Sequence, residues 1–194
     1  AREALLTALE ASGVSIPLWD GILIEETVRV APGATILPGC ILRGNTTIAA
    51  GSVIGPGSVL TDAVIGKNCT VKNTYIPEST LEENVSIGPF SQVRPGCHIA
   101  AGCKIGDFVE VKNSHIGQKT AIAHLTYVGD TDCGSGVNFG CGVAIANFNG
   151  KEKFRTTIGD NAFLGCNTNL VAPVTIGAGA YTAAGATVTR DVPE

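Results

Sequence analysis

Methionine is missing from all 194 residues, aromatics make up 5% and charged residues 15%. Without Met and with few aromatics, the usual filling of a helical core is lacking. The hydrophobic content of 44% is enough for a core, and a core of Ile, Val, Ala, Thr and Cys suits narrow β-rich packing. The lack of Met at position one marks the chain as a piece of a longer one, or a processed one. No apolar run approaches the roughly 20 residues that cross a bilayer, and no signal peptide opens the chain. Membrane insertion is therefore not expected, and a cytoplasmic location is. A net charge of −4 lacks the dense basic surface that general nucleic-acid binding needs. Seven cysteines are present, but none form CxxC pairs, so neither zinc nor disulfides are expected.

What the chain does contain is a repeat. An aliphatic residue recurs about every six positions: Val30, Ile36, Leu42, Ile48 and Ile54 early, then Ile87, Val93, Ile99, Ile105, Val111, Ile116, Ile122 and Val128. Phe139 and Ile145 continue it, and after an interruption so do Ile158, Leu164, Leu170 and Ile176. Such a period fits neither an α-helix nor a hairpin array. It fits short strands joined by tight turns, three per coil, winding into a parallel β-helix. The aliphatic residue points inward, and a small one at the fifth place fits where panels converge. Cys40, Cys69, Cys97 and Cys103 fall at that fifth place and Cys133 at an aliphatic one, so all five read as core. Cys141 and Cys166 fall at third positions, which lean outward.

Ahead of the repeat, Arg2 to Ser12 carries Leu5, Leu6 and Leu9 at helical spacing, and Gly13 and Pro17 end that helix. Trp19 is expected to pack at the junction. The domain reading is a helix and linker over 1–20, leading toward a domain not present, and an all-β β-helix over 21–194.

Three panels per coil stack every third hexad. Those starting at Ile105, Ile122, Phe139, Leu164 and Thr182 share a panel if the Lys151–Thr157 insertion loops out. Their third residues, Asp107, His124, Cys141, Cys166 and Ala184, then form one column. Glu110 and Tyr127 stack one coil apart, and Arg94 and Lys112 form another column. Stacked like charges in a charge-poor chain are costly unless an anion lies between them, and a phosphate satisfies both. An outward histidine at 124 has no core to satisfy. Neutral imidazole is the usual general base, with Glu110 as the expected orienting carboxylate. The Asn147–Lys153 loop interrupts the array where solenoids often cover a groove.

The stretches RPGCHIAAGCKIGDFVEVKNS, HLTYVGD and GVNFGCGVAIANFNGKEKFRTTIGDNAFLGCNTNLVAPVTIGAGA resemble a known family. It is the C-terminal acetyltransferase domain of the bacterial bifunctional glucosamine-1-phosphate N-acetyltransferase / N-acetylglucosamine-1-phosphate uridyltransferase. The resemblance runs from Trp19 onward. It implies a left-handed β-helix, an exception to the usual crossover hand, in a homotrimer with sites between subunits. It implies His124 as general base with Glu110 near it. Arg94, Lys112, Tyr127, Asn138 and Lys153 are implied to hold glucosamine 1-phosphate, and Cys141, Asn147, Phe148, Cys166 and Ala184 to line acetyl-CoA. The Cys141 amide is implied as oxyanion donor. No metal is needed for acetyl transfer; Mg2+ belongs to the uridyltransferase domain, absent here together with its Gly-rich loop. Phe148 stands where the family often has Tyr, and Cys141 and Cys166 replace Ala and Ser of some members. The chain stops at Glu194, before a tail that adds a basic contact to acetyl-CoA in the family.

Three alternatives stand beside this reading. The first is a hexapeptide-repeat acyltransferase for another sugar or for serine, and the second a non-catalytic scaffold. The third is a zinc carbonic anhydrase of β-helical type, for which His98 and His115, about one coil apart, are the only stacked histidines.

Overall fold

A computed structural model describes residues 2–194 of the chain. One helix, α1 (Arg2–Ala11), precedes a stack of strands two to four residues long. These pair in parallel into three sheets of nine, ten and nine strands among the described residues. Each turn of chain contributes one strand to sheet A, one to sheet B and one to sheet C. In the middle of the stack the order is Lys104–Asp107 (A), Glu110–Lys112 (B) and His115–Ile116 (C).

The period of the sequence explains the cross-section. The inward residue of each short strand is aliphatic, and Ile36, Leu42, Ile54, Leu60, Ile76, Val93, Ile99, Val111, Ile122 and Val128 are fully buried. Each such side chain contributes about 1.5–3 kcal/mol by leaving water. Small corner residues, among them Ala34, Ser52, Ser58 and Thr120, are equally buried. The hydroxyls of the Ser and Thr among them donate to carbonyls one rung away, as Ser52 does to Gly66 at 2.7 Å and Thr120 to Gly134 at 3.0 Å.

The cysteines follow the register. Cys40, Cys69, Cys97, Cys103 and Cys133 are buried, Cys141 is half-buried and Cys166 exposed, and all seven are free thiols. Burial raises the pKa of the five core thiols, that of Cys133 to about 12. These sulfurs are packing groups, not nucleophiles.

Helix α1 caps the first coil. Leu6 is buried and Leu9 and Trp19 pack partly against the same core. Arg2 Nε donates to the Ile22 carbonyl at 2.8 Å. Among the described residues no helix is long and apolar enough to cross a membrane.

Ile105 pairs with Ile122, Ile122 with Phe139, Phe139 with Leu164 and Leu164 with Thr182, all in sheet A. The stacking inferred from the sequence therefore holds across the insertion. The inserted residues leave between Ala144–Ala146 of sheet B and Thr156–Ile158 of sheet C without displacing a strand. They fold back on themselves through a Phe148–Lys153 bridge, and Asn149 Oδ1 accepts from the Lys151 and Glu152 amides at 2.8 and 2.9 Å.

Candidate active site

His124 ends its strand at the corner between sheets A and B, with its side chain 58% exposed. Its Nδ1 lies 2.7 Å from Asp107 Oδ1, the residue directly beneath it in the ladder. That hydrogen bond is the main reason the Asp107 carboxyl sits below the usual range. Glu110 does not take this place. Its carboxylate instead accepts from Arg94 Nη1 at 3.1 Å. Within one chain Glu110 makes no hydrogen bond to His124, because chain direction at the corner sends the residue at 110 along sheet B, while 107 stays in the sheet that carries His124.

A cavity of about 270 Å3 opens beside the pair, lined by Ser86, Lys104, Asp107, Ala123 and His124 among others. Going up the same corner, the carbonyls of His124, Cys141 and Cys166 accept from Gly142, Asn167 and Gly185 at 3.3, 2.8 and 2.8 Å. One residue per rung therefore forms the column His124, Cys141, Cys166 and Ala184. The Cys141 amide makes no hydrogen bond among the described residues and is available as a donor.

The cations stand on sheet B. Gln92 and Val93 pair with Glu110 and Val111, which aligns Arg94 with Lys112, and Lys112 pairs with Gly129 above it. The expectation that this stack needs a bound anion to be tolerated is corrected, because each cation has a carboxylate of its own. Arg94 holds Glu110, and Lys112 Nζ lies 3.1 and 3.0 Å from Asp130 Oδ1 and Oδ2. Asp130 is buried and also accepts from Asn113 at 2.6 Å and from Asn147. Burial alone pushes its carboxyl up, but these donors and the Lys112 charge bring it below the usual range.

Tyr127 stacks on Glu110 in the ladder and sends its hydroxyl across the sheet, where Asn147 Nδ2 donates to it at 3.4 Å. It crosses above Gly129; a Cβ there would meet the Tyr127 hydroxyl and, at 2.7 Å, the Asn147 amide. Asn147, implied in the acetyl-CoA wall by resemblance, is buried in this sheet B network. Lys153 and Phe148 are exposed on the loop at the corner between sheets B and C, and Asn138 opens a strand of sheet A. In one chain the twelve residues thus lie on two panels and their corners rather than along one edge.

Asp107, Gly129 and Asp130 are the residues that sequence reasoning missed. Asp107 was legible as a member of the His124 column; nothing in the local pattern singled out the other two. On sheet C, His98 and His115 do lie one rung apart, with ring centres separated by 6.4 Å. Each holds a carboxylate, Glu82 at 2.8 Å and Asp132 at 3.1 Å.

Residues 78–113 and 155–190 match the family model described as bacterial transferase hexapeptide (six repeats). Repeat and architecture together show a hexapeptide-repeat protein wound as a left-handed parallel β-helix. Within that class the chain is a relative of the proteins named bifunctional protein GlmU. It is 45% identical over 193 residues to the one from Brevibacillus brevis, covering 100% of this chain and 42% of that protein. It is 47% identical over 175 residues to the one from Clostridium acetobutylicum, covering 90% and 38%. The chain therefore spans about two fifths of the length of these curated relatives. A solved structure of Francisella novicida UDP-N-acetylglucosamine acyltransferase shares the fold, with a TM-score of 0.54 at 21% identity, covering 88% of this chain and 62% of that one.

Proposed function

We propose that the chain transfers the acetyl group of acetyl-CoA to the amine of glucosamine 1-phosphate, within the synthesis of UDP-N-acetylglucosamine. The observation that carries this reading is the outward His124, held by Asp107 at the foot of the Cys141–Cys166–Ala184 column. The similarity to part of the GlmU proteins, which runs over the whole of this chain, supports it.

In this reading the amine nitrogen attacks the thioester carbonyl while His124 takes the amine proton, a step that contributes roughly 10²–10⁴-fold. The Cys141 amide donates to the oxyanion that forms, and such a donor contributes on the order of 3 kcal/mol. Collapse of the tetrahedral intermediate breaks the C–S bond, and the proton returns to the leaving CoA thiolate. No acyl-enzyme forms. Arg94, Lys112 and Lys153 hold the phosphate, with Tyr127 and Asn138 orienting the sugar. Because Arg94 and Lys112 already carry carboxylates, the phosphate joins an existing network rather than neutralising bare charges. Cys166, Ala184 and the exposed Phe148 line the path of acetyl-CoA.

The spread of these residues over two panels favours a homotrimer in which one copy supplies the His124 corner and another the Lys153 loop. The N-terminal helix and linker then lead toward a separate uridyltransferase domain. Thiol release with acetyl-CoA and glucosamine, with and without its 1-phosphate, tests the reading. Release that requires the phosphorylated sugar is the expected result. Equal rates without the phosphate, or release with serine alone, would replace the acceptor.

A further inference from the structure

We propose that Asp107 is the positioning residue for His124, accepting the Nδ1 proton so that the ring presents an unprotonated Nε2 to the acceptor amine. This inference rests on the acetyl-transfer reading for its consequence, but not for its geometry.

The backbone brings the two residues together deliberately. Strands in sheet A are two residues long except at two adjacent rungs, Lys104–Asp107 and Ala121–His124, which run to four. Only there does the ladder extend far enough to pair residue 107 with residue 124. The Leu125 amide donates to the Asp107 carbonyl at 3.1 Å and ties the two rungs together just past the pair. Phe108 and Leu125, the next residues, sit at φ of 54° and 46°. Such left-handed backbone is costly for bulky side chains, by roughly 1–2 kcal/mol each, and it directs both side chains at 107 and 124 onto the corner.

The chemistry then follows from the ionisation of the acceptor. Asp107 has no cation partner among the described residues, whereas the nearby Glu110 is taken up by Arg94. An ionised carboxylate only accepts hydrogen bonds, so Nδ1 must carry a proton, and in the neutral ring the lone pair is then on Nε2. The separation of 2.7 Å is that of a charge-assisted bond. No partner of Nε2 is present among the described residues.

Carboxylate–histidine contacts between rungs also occur at Glu82–His98 and His115–Asp132 on sheet C. The sheet A pair differs in what surrounds it. Both its members line the cavity of about 270 Å3, and the unpaired Cys141 amide lies one rung up. A surface ladder would need neither feature.

The test uses the whole chain, with Asp107→Asn and Asp107→Glu beside the wild type. Nitrogen-15 spectra of the imidazoles, assigned with His124→Gln, report the tautomer. Wild type is expected to show His124 protonated at Nδ1 only. In Asp107→Asn the side-chain amide can donate to Nδ1, and the single tautomer should be lost. The turnover number of that variant is expected to fall about 10- to 100-fold with KM for both substrates within about twofold. A fall below the roughly 10⁴-fold of a buried triad follows from solvent screening of this half-exposed pair. Asp107→Glu should restore part of the rate and the Nδ1-protonated form. An unchanged tautomer in Asp107→Asn, or an unchanged turnover number in a variant that has lost it, overturns the inference. A wild-type chain that holds the tautomer but transfers no acetyl group overturns the acetyl-transfer reading and leaves the positioning geometry standing.

Discussion

Lys112 and Asp130 form a bidentate ion pair, 3.1 and 3.0 Å from Nζ to the two carboxylate oxygens, with side chains 15% and 7% exposed. The pair joins successive rungs of sheet B at the corner where the chain turns into sheet C. Asn113 and Asn147 complete the shell around the carboxylate. Removing the Asp130 charge while keeping its shape leaves a nearly buried ammonium without a counter-ion. Asp130→Asn is therefore expected to destabilise the fold by about 3 kcal/mol, read as a lower urea midpoint at unchanged m-value.

Acid should weaken the same region. Asp130 and Asp132 both have folded pKa values below normal. For Asp132 the Arg155 guanidinium is the main cause, opposed by burial and helped by His115. A carboxyl more acidic in the folded than in the unfolded state, where it titrates near about 3.9, binds fewer protons when folded. Its stabilisation is complete above the unfolded value and fades as pH falls through the folded one. Urea midpoints should hold between about pH 7 and pH 5 and drop below about pH 4, less steeply in Asp130→Asn. A flat profile down to about pH 3 contradicts this.

His124→Ala removes a half-exposed side chain that bonds only to Asp107, so the fold should tolerate it within about 0.5 kcal/mol. Turnover should fall roughly 10²–10⁴-fold while calorimetric binding of glucosamine 1-phosphate persists. Wild-type turnover in this variant would remove the base role.

Gly129→Ala tests the sheet B network. The added methyl would collide with the Tyr127 hydroxyl and the Asn147 amide, so Tyr127 must swing away. The expected loss is one hydrogen bond to the sugar, about 1 kcal/mol, seen as a roughly fivefold higher KM for the acceptor with KM for acetyl-CoA unchanged. A rise in KM for acetyl-CoA alone would place Tyr127 in the other half of the site.

Much of the site could be read from the repeat. Counting by hexads put Asp107, His124, Cys141, Cys166 and Ala184 in one column, and the ladder places them there. The same counting aligned Glu110 with Tyr127 and Arg94 with Lys112. It failed on partners. Asp107 and Glu110 are three residues apart, and the turn between them sends one to His124 and the other to Arg94. Asp130 gave no signal, since its acidic side chain occupies a turn position with φ of 51° that Asn and Gly fill on many other rungs.

The sequence by itself determined the prism: which residues fill it, which corner each outward side chain occupies, and why the buried thiols are inert. That follows because a six-residue period sets backbone positions by local rules that repeat from rung to rung. Only the tertiary structure decided which carboxylate answers which cation and which imidazole nitrogen is held. Those pairings join side chains about one coil apart, where reach and the direction of the corner, not spacing along the chain, select the partner.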